Sequence, residues 1–387
     1  MEFLPTTLGT RPRLAVEVRA EGVVAARAED ATALLTAVAR AGVAEGSVVP
    51  GLKAGNIVDR AGVAAAVRSA LDGVAGRGAE RAAGRSGSSR DVTLVVPDAA
   101  VRVLLLEFEQ LPSKMAEALP LVRFRLKKLL PFDAEDAVVS YQVMSSAKSG
   151  VKVVAVAMPR EVLEEYEGVV TAAGYLPGAV LPSTLATLAG LDEVEAPALV
   201  VNAGLGGVTT AIVRAGVLLL HRSVDMSGDM TADIGLAPQV PVVSAIPLVD
   251  RESSAQEWAQ QEALGPGGYD RMDAEAAMQT GVLEQAQIRE GVAGSMVSVA
   301  SVEVARELAQ AVSVAAAYFE DTLLVAPDNV MSAGTLGADT LAAMLEESGL
   351  EGLRVRELVE AGMMEAGAVT ATIPRGWLAG VRGALKS

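Results

Sequence analysis

A glycine-rich loop between two apolar segments is the part of this sequence best suited to holding a phosphate. Ala198–Asn202 is a predicted strand, a second one follows at Thr209–Val213, and Gly204 opens a loop with two further glycines between them. Glycine lets backbone amides approach an anion closely, and the hydroxyl of Thr209 adds a hydrogen-bond donor. The same pattern is also typical of an ordinary turn between two strands, and taken alone it favours that turn.

Two further loops could line the same kind of site. Val330–Gly337 precedes a predicted helix, and its Gly334 could seat a base or a ribose against the start of that helix. Glu17–Gly22 joins two predicted strands and has the position of a phosphate-binding hairpin, although its side chains supply little of that chemistry. Each loop is also compatible with an ordinary connection, so neither identifies a nucleotide site alone.

The composition excludes several kinds of active site. The 387 residues include no cysteine, so the chain has no disulfide, no thiolate nucleophile and no cysteine-ligated zinc. His221 is the one histidine, so any site that needs two is excluded, and its place at the end of an apolar strand favours a structural role. The 32 basic and 48 acidic residues give a formal charge of −16, which argues against a nucleic-acid surface.

Apolar and basic segments of the sequence indicate whether the protein spans or contacts a membrane. The uncharged stretch Pro197–Val213 is interrupted by glycine, asparagine and threonine, so it does not predict a spanning helix of about 20 apolar residues. Met1–Thr10 has no basic region followed by an apolar run, so no signal peptide is predicted. We therefore expect a soluble, intracellular protein. The basic face at Arg123–Lys128 indicates either a solvated surface or a contact for acidic lipid or an acidic partner.

Strands and helices alternate in two successive series. The predicted strands are 14–18, 23–27, 92–96, 101–108, 137–144, 151–157, 198–202, 209–213, 217–221 and 330–332. The predicted helices are 31–42, one that follows Asp59 as its N-cap, 114–130, 161–173, one that begins at Ser183, 303–323 and 338–347. A short charged tail closes the chain. This pattern, with hairpins inside each series, predicts an α/β fold with two similar lobes.

The stretch Asp91–Met144 combines four motifs in a distinctive order. A strand ending at Pro97 is followed by a strand leading to Leu111-Pro112, a helix ending in Pro131-Phe132, and a strand containing Tyr141-Gln142-Val143. In this order they resemble the PilM family of type IV pilus inner-membrane assembly proteins, a branch of the actin-like superfamily. The resemblance extends through most of the chain.

The resemblance implies a two-lobe actin-like fold with ribonuclease H-like lobes and a nucleotide cleft between them. Lobe one would span residues 1–191, with a small α/β subdomain inserted at about 98–157. Lobe two would span residues 192–387, with an outer subdomain at about 227–301. In that outer subdomain the sequence departs most from the family.

The sequence also departs from the family at the positions that hold nucleotide. Where the family's first hairpin has an Asp, a Gly and a hydroxyl residue, this chain has Glu17, Arg19 and Ala20. The second motif starts with Asn202 in place of Asp, and the adenosine motif is Ala-Gly-Thr around Gly334 in place of three glycines. The nucleotide-binding positions that the resemblance implies are therefore Glu17, Arg19, Asn202, Gly204, Thr209 and Gly334.

These departures predict a cleft without efficient catalysis. Arg19 would reach into the phosphate space, and the altered acidic positions weaken a water-mediated hold on Mg²⁺. Phosphoryl transfer depends on that cradle and that metal clamp, so we expect no catalytic residue, no metal ligand and no efficient hydrolysis. These departures identify no cofactor, and weak binding of ATP with Mg²⁺ stays open.

The resemblance further implies a non-enzymatic adaptor at the cytoplasmic face of the inner membrane in a type IV pilus machine. Its partner would be a PilN-like membrane protein, whose short N-terminal peptide binds between the inserted subdomain and the core of lobe one. Membrane association would be indirect, no nucleic-acid partner is expected, and self-association through the lobes is open. The alternatives are an active actin-like ATPase or sugar-kinase-like enzyme, a filament protein, and a component similar to GspL of type II secretion.

Overall fold

The structure is a computed structural model of the chain. It describes residues 12–30, 32–82, 90–148, 150–191, 196–204, 206–226, 287–350, 352–365, 368 and 373–386. Of the outer subdomain predicted at about 227–301, residues 227–286 lie outside this description.

Thirteen strands and seven helices are placed within the described residues. The strands are β1 (Leu14–Arg19), β2 (Gly22–Ala28), β3 (Leu35–Ala41), β4 (Asp91–Val96), β5 (Arg102–Phe108), β6 (Ala137–Ala147), β7 (Gly150–Pro159), β8 (Leu176–Pro182), β9 (Ala198–Gly204), β10 (Gly207–Arg214), β11 (Val217–Asp225), β12 (Asn329–Gly334) and β13 (Arg354–Glu357). The helices are α1 (Arg60–Ala82), α2 (Met115–Leu126), α3 (Arg160–Ala172), α4 (Ser183–Ala189), α5 (Gln287–Leu323), α6 (Ala338–Glu347) and α7 (Leu378–Leu385).

The first half of the chain builds a five-stranded sheet in the order β3-β2-β1-β4-β8. The first three strands form an antiparallel meander, and β4 and β8 run parallel to β1. One face of the sheet packs on α1 and α3, and the other packs on α4 and α7. Because parallel strands end at the same edge, the carboxyl ends of β1, β4 and β8 lie side by side.

The second half repeats this arrangement in the order β11-β10-β9-β12-β13. Again three antiparallel strands come first, and two parallel strands follow. Helices α5 and α6 cover its outer face through a core that includes Leu199, Val312 and Leu341. The repeated strand order confirms the predicted pair of similar α/β lobes.

A small third sheet is inserted into the first. Its strands β5, β7 and β6 are antiparallel, and they lie in the sequence between β4 and α3. The buried side of α2 packs on this sheet through Val122 and Leu126.

The helix predicted at 31–42 is wrong. Residues Leu35–Ala41 form β3, which pairs antiparallel with β2 along nearly its full length. Alanine and leucine favour a helix by only a few tenths of a kcal/mol per residue, so pairing with β2 and packing against α1 decide the conformation.

The charged tail predicted at the C-terminus is also wrong. Every residue of α7 is buried, because the helix packs against α4 on one side and against β1 and β2 on the other. At the crossing with α4, a Cβ on Gly383 would collide with the backbone carbonyl of Ala186. Together α4 and α7 fill a core that contains Ala15 of the first sheet and Val200 of the second.

The predicted N-cap of α1 is confirmed. The Oδ1 atom of Asp59 accepts a hydrogen bond of 2.9 Å from the backbone N–H of Gly62. That bond satisfies one of the amides that the first turn of a helix leaves without a partner.

Candidate functional site

Polar side chains from the ends of five strands meet between the two large sheets. They lie in or shortly after β1, β4 and β8 of the first sheet and β9 and β12 of the second. We call them the inter-lobe cluster: Glu17, Arg19, Glu21, Asp98, Ser183, Thr184, Asn202 and Thr335.

Arg19 is the centre of this cluster. Its Nε donates to Glu17 Oε1 at 2.7 Å, and its Nη2 donates to Ser183 Oγ at 2.5 Å and to Asn202 Oδ1 at 2.8 Å. Ser183 in turn donates its hydroxyl proton to Glu17 Oε1 at 2.7 Å. The guanidinium therefore links lobe one to lobe two directly, and its three hydrogen-bond partners are all buried.

Asn202 is held from three sides by lobe one. Its Nδ2 donates to Ser183 Oγ at 2.9 Å and to Thr184 Oγ1 at 3.0 Å, and it lies 3.4 Å from Asp98 Oδ2. An aspartate at this position would have no proton to donate and would place a second carboxylate beside Asp98. An amide at position 202 therefore suits the donors and acceptors around it.

Asp98 anchors the first turn of α4. Its Oδ1 accepts from the backbone N–H of Thr184 at 3.0 Å, and its Oδ2 accepts from the Thr184 hydroxyl at 2.6 Å. Asp98 follows Pro97 at the end of β4, and Ser183 follows Pro182 at the end of β8. This repeated strand–proline–polar pattern is the sequence signal that could have found these residues, which the motif comparison missed.

Gly204 lies beside the inter-lobe cluster, and side chains of that cluster occupy the space next to its Cα. A Cβ at this position would contact the carboxylate of Glu21 and would lie 2.9 Å from Thr335 Oγ1 and 3.4 Å from Arg19 Nη1. Thr335 donates its hydroxyl proton to Glu21 Oε1 at 2.7 Å, which is a second link between the lobes. A carboxylate therefore covers the backbone that a phosphate would have to approach, and an anion there repels a phosphate.

Gly334 and Thr209 have structural partners of their own. Gly334 has a φ of 89°, and a Cβ there would overlap the backbone of Ala203 and lie 2.7 Å from Asn202 Oδ1. Thr209 pairs with Asn202 in the β9–β10 ladder, and its hydroxyl lies 2.8 Å from Ser223 Oγ. The structure thus gathers Glu17, Arg19, Asn202, Gly204 and Gly334 at one place, and it ties Thr209 to the neighbouring strand β11.

Burial and charge act against each other in the cluster. Burial of Glu17 raises the pKa of its carboxyl group, although Arg19 and the Ser183 hydrogen bond oppose this rise. Burial alone would lower the pKa of Arg19, but the carboxylates of Glu17 and Glu21 outweigh it and raise that pKa. Glu17 Oε2 has no hydrogen-bond partner within the described part of the chain, and it faces Gly380 of α7, where a Cβ would lie 2.9 Å away.

The described residues bring no set of metal ligands together in the cluster. No group of three or more His, Asp or Glu side chains in those residues could hold a metal ion. Burial lowers the pKa of His221, and its Nε2 has no hydrogen-bond partner in the same residues. What the geometry can do is hold two lobes together through buried polar contacts.

Solved structures share this architecture. A chain of the PilM-PilN type IV pilus biogenesis complex matches with a TM-score of 0.64 and 16% sequence identity, over 97% of this chain and 98% of that one. This chain has a PilM-like fold. The predicted two-lobe actin-like fold, with its small inserted α/β subdomain, is confirmed.

Two other solved structures are more distant. The ethanolamine utilization protein EutJ from Carboxydothermus hydrogenoformans matches at 11% identity with a TM-score of 0.43, over 97% of this chain and 89% of that one. The cytoplasmic domain of EpsL, from the type II secretion system of Vibrio cholerae, matches at 14% identity with a TM-score of 0.34, over 58% of this chain and 78% of that one. At these TM-scores neither adds to the argument.

No protein-family model matches the chain, and no curated protein matches it by sequence. Among the described residues, no helix has the length and apolar character needed to cross a membrane.

Proposed function

We propose that this chain is a non-enzymatic adaptor of a type IV pilus inner-membrane platform, at the cytoplasmic face, and that it binds the N-terminal peptide of a PilN-like protein. The observation that carries the proposal is the match to a chain of the PilM-PilN complex along almost the full length of both chains. Association with the membrane would then be indirect, because the partner would supply the anchor.

The peptide would bind between the inserted sheet and the core of lobe one. Strand β6 is a terminal strand of the inserted sheet, and β8 is a terminal strand of the first sheet. A terminal strand can pair with an extended peptide through its outer backbone edge. Helix α3 contacts both strands, and each has an exposed apolar side chain, Val143 on β6 and Leu176 on β8.

The proposal assigns no ATP turnover to the cleft. A phosphate near Gly204 would have to displace the Glu21 carboxylate, and one near β1 would have to break the Arg19–Glu17 ion pair. Separating two buried charges leaves each without its counter-charge inside the protein, which is strongly unfavourable. These contacts support an adaptor whose two lobes are held together by its own side chains. Any binding of ATP with Mg²⁺ would then be weak.

Calorimetric titration with a PilN-type peptide tests the adaptor role. The peptide is the N-terminal segment of the PilN-like protein encoded beside this chain, and we expect one-to-one binding with a Kd of roughly micromolar order. Val143→Asp and Leu176→Asp should each weaken binding by about tenfold or more, because each places a charge where an apolar contact is proposed.

Leu324→Asp is the matched control, since Leu324 is an exposed leucine in the second half of the chain. Its peptide affinity should equal that of the wild type. Absence of peptide binding by the folded wild type would contradict the adaptor proposal, and an equal loss in the control would contradict the proposed binding region.

A further inference from the structure

Helix α2 presents apolar side chains to solvent on its outer side. Phe124 is 69% exposed and Leu121 is 45% exposed. Their helical neighbours Val122 and Leu126 are buried against the inserted sheet. The helix is therefore fixed by one face, and its other face holds large apolar side chains in water.

The outer face also carries positive charge. Leu121, Phe124 and Lys128 are spaced by three and four residues, which places them on one side of the helix and its final turn. Arg125 and Lys128 are both exposed beside Phe124. Between residues 114 and 130 there are five basic residues and one acidic residue, in a chain whose formal charge is −16.

The acidic residues around the helix are partly compensated. Glu117 pairs with Lys114 at 3.5 Å, and Glu135 pairs with Lys127 at 3.2 Å. Arg123 is turned inward, where it donates to the backbone carbonyls of Ala134 and Ala137. Arg125 and Lys128 are thus the basic groups of this face that lie next to the apolar side chains.

We propose that this outer face of α2 docks on an anionic membrane surface. Phe124 and Leu121 would enter the boundary between headgroups and acyl chains, and Arg125 and Lys128 would contact lipid phosphates. A single convex helix offers little area to a rigid protein partner, whereas a fluid lipid surface adapts to it. The sign of the charge and the aromatic and aliphatic side chains both suit anionic lipid.

The contact is weak by itself, because it consists of a few apolar side chains and basic groups. Stable attachment of a protein to a membrane generally takes two signals. An anchor supplied by a partner would be the second signal. It would hold α2 near the membrane at a high effective concentration, so that even a weak lipid contact would be occupied. The lipid contact does not require the proposed peptide groove, so each proposal can fail without the other.

Sedimentation with vesicles tests the docking face without any partner protein. The full chain should bind vesicles of phosphatidylethanolamine and phosphatidylglycerol in equal parts, and added salt should weaken that binding. It should bind vesicles of phosphatidylcholine at least about tenfold more weakly, because these lack net charge.

Three variants identify the residues involved. Phe124→Ser combined with Leu121→Ser, and separately Lys128→Glu, should each lower affinity for the anionic vesicles by about tenfold. Leu324→Ser, which removes another exposed leucine, should leave it unchanged. Circular dichroism confirms that each variant is folded.

Several outcomes would overturn the proposal. These are absence of vesicle binding by the wild type, equal binding to both kinds of vesicle, and unchanged binding by the α2 variants. If the α2 variants lose the PilN-type peptide and keep vesicle binding, the face is a protein interface and the membrane assignment is wrong.

Discussion

Glu17 and Arg19 form an ion pair at the centre of the inter-lobe cluster. Glu17 is fully buried in β1, and Arg19 neutralises it from two positions further along the strand. The arginine fills space and supplies three hydrogen bonds, to Glu17, Ser183 and Asn202. Its removal would leave a buried carboxylate without its counter-charge, so the consequence of a substitution depends on whether Glu17 is ionised.

Arg19→Met should destabilise the protein in a pH-dependent way. Burial raises the pKa of Glu17 above its value in the unfolded chain, so ionising it in the folded protein costs stability as pH rises through that pKa. We expect a loss of about 3–5 kcal/mol near neutral pH, because the buried carboxyl group must either ionise without its counter-charge or take up a proton. Well below the ordinary Glu pKa of about 4.3, Glu17 is protonated in both states and the loss should be smaller. Urea unfolding at both pH values measures this.

The double variant Arg19→Met, Glu17→Gln is the control for this prediction. Because glutamine has no charge to bury, the pH dependence introduced by Arg19→Met should largely disappear. An Arg19→Met destabilisation that is the same at both pH values would contradict the assignment of Glu17 as the source.

Part of the candidate site could be predicted from the sequence. The family resemblance implied Glu17, Arg19, Asn202, Gly204 and Gly334, which the structure gathers at one place, and their role toward nucleotide stays a prediction. Asp98 and Thr184 are 86 positions apart. The proline that ends each strand marks the polar residues after it, but their pairing depends on the parallel order of β4 and β8, which a local pattern does not show.

At the scale of elements, the crossing of α4 and α7 joins the two lobes. The helices approach so closely that a Cβ on Gly190 would lie 3.2 Å from Gly383 Cα. Arg382, also on α7, donates to the backbone carbonyl of Gly190 at 2.8 Å. Small residues at this crossing are therefore a requirement of packing.

Gly383→Ala should lower the free energy of unfolding by about 1–3 kcal/mol, because the new methyl group meets the Ala186 carbonyl and the helices must separate. Gly168→Ala is the matched control, since a Cβ on this exposed position of α3 has nothing within 4 Å. It should raise stability by about 0.5–1 kcal/mol through helix propensity. Equal effects of the two substitutions in thermal unfolding would contradict the close crossing.

The two errors in the predicted elements have physical causes. Residues 31–42 have the composition of a helix, and pairing with β2 overrode it. The C-terminal segment contains charged residues, yet Arg382 is buried because backbone carbonyls of Gly190 and Thr32 accept its hydrogen bonds. In both cases a tertiary contact determined the conformation of the segment. A short stretch of sequence does not reveal such a contact.

At the scale of the whole molecule, one apolar core joins both large sheets. It includes Ala15, Val95 and Trp377 together with Val200 and Leu218. Arg40 of β3 lies 4.7 Å from the ring centre of Trp377, which adds a cation–π contact near this core. The two lobes are thus held together by the polar inter-lobe cluster and by this apolar core.

The central claim is that the inter-lobe cluster holds the two lobes together and does not perform phosphoryl transfer. Phosphate release from ATP, measured with and without Mg²⁺, tests this claim. The account predicts a rate with Mg²⁺ that equals the rate without it, and the same rate for a folded Asn202→Ala variant. Mg²⁺-dependent turnover by the wild type that disappears in Asn202→Ala would contradict it.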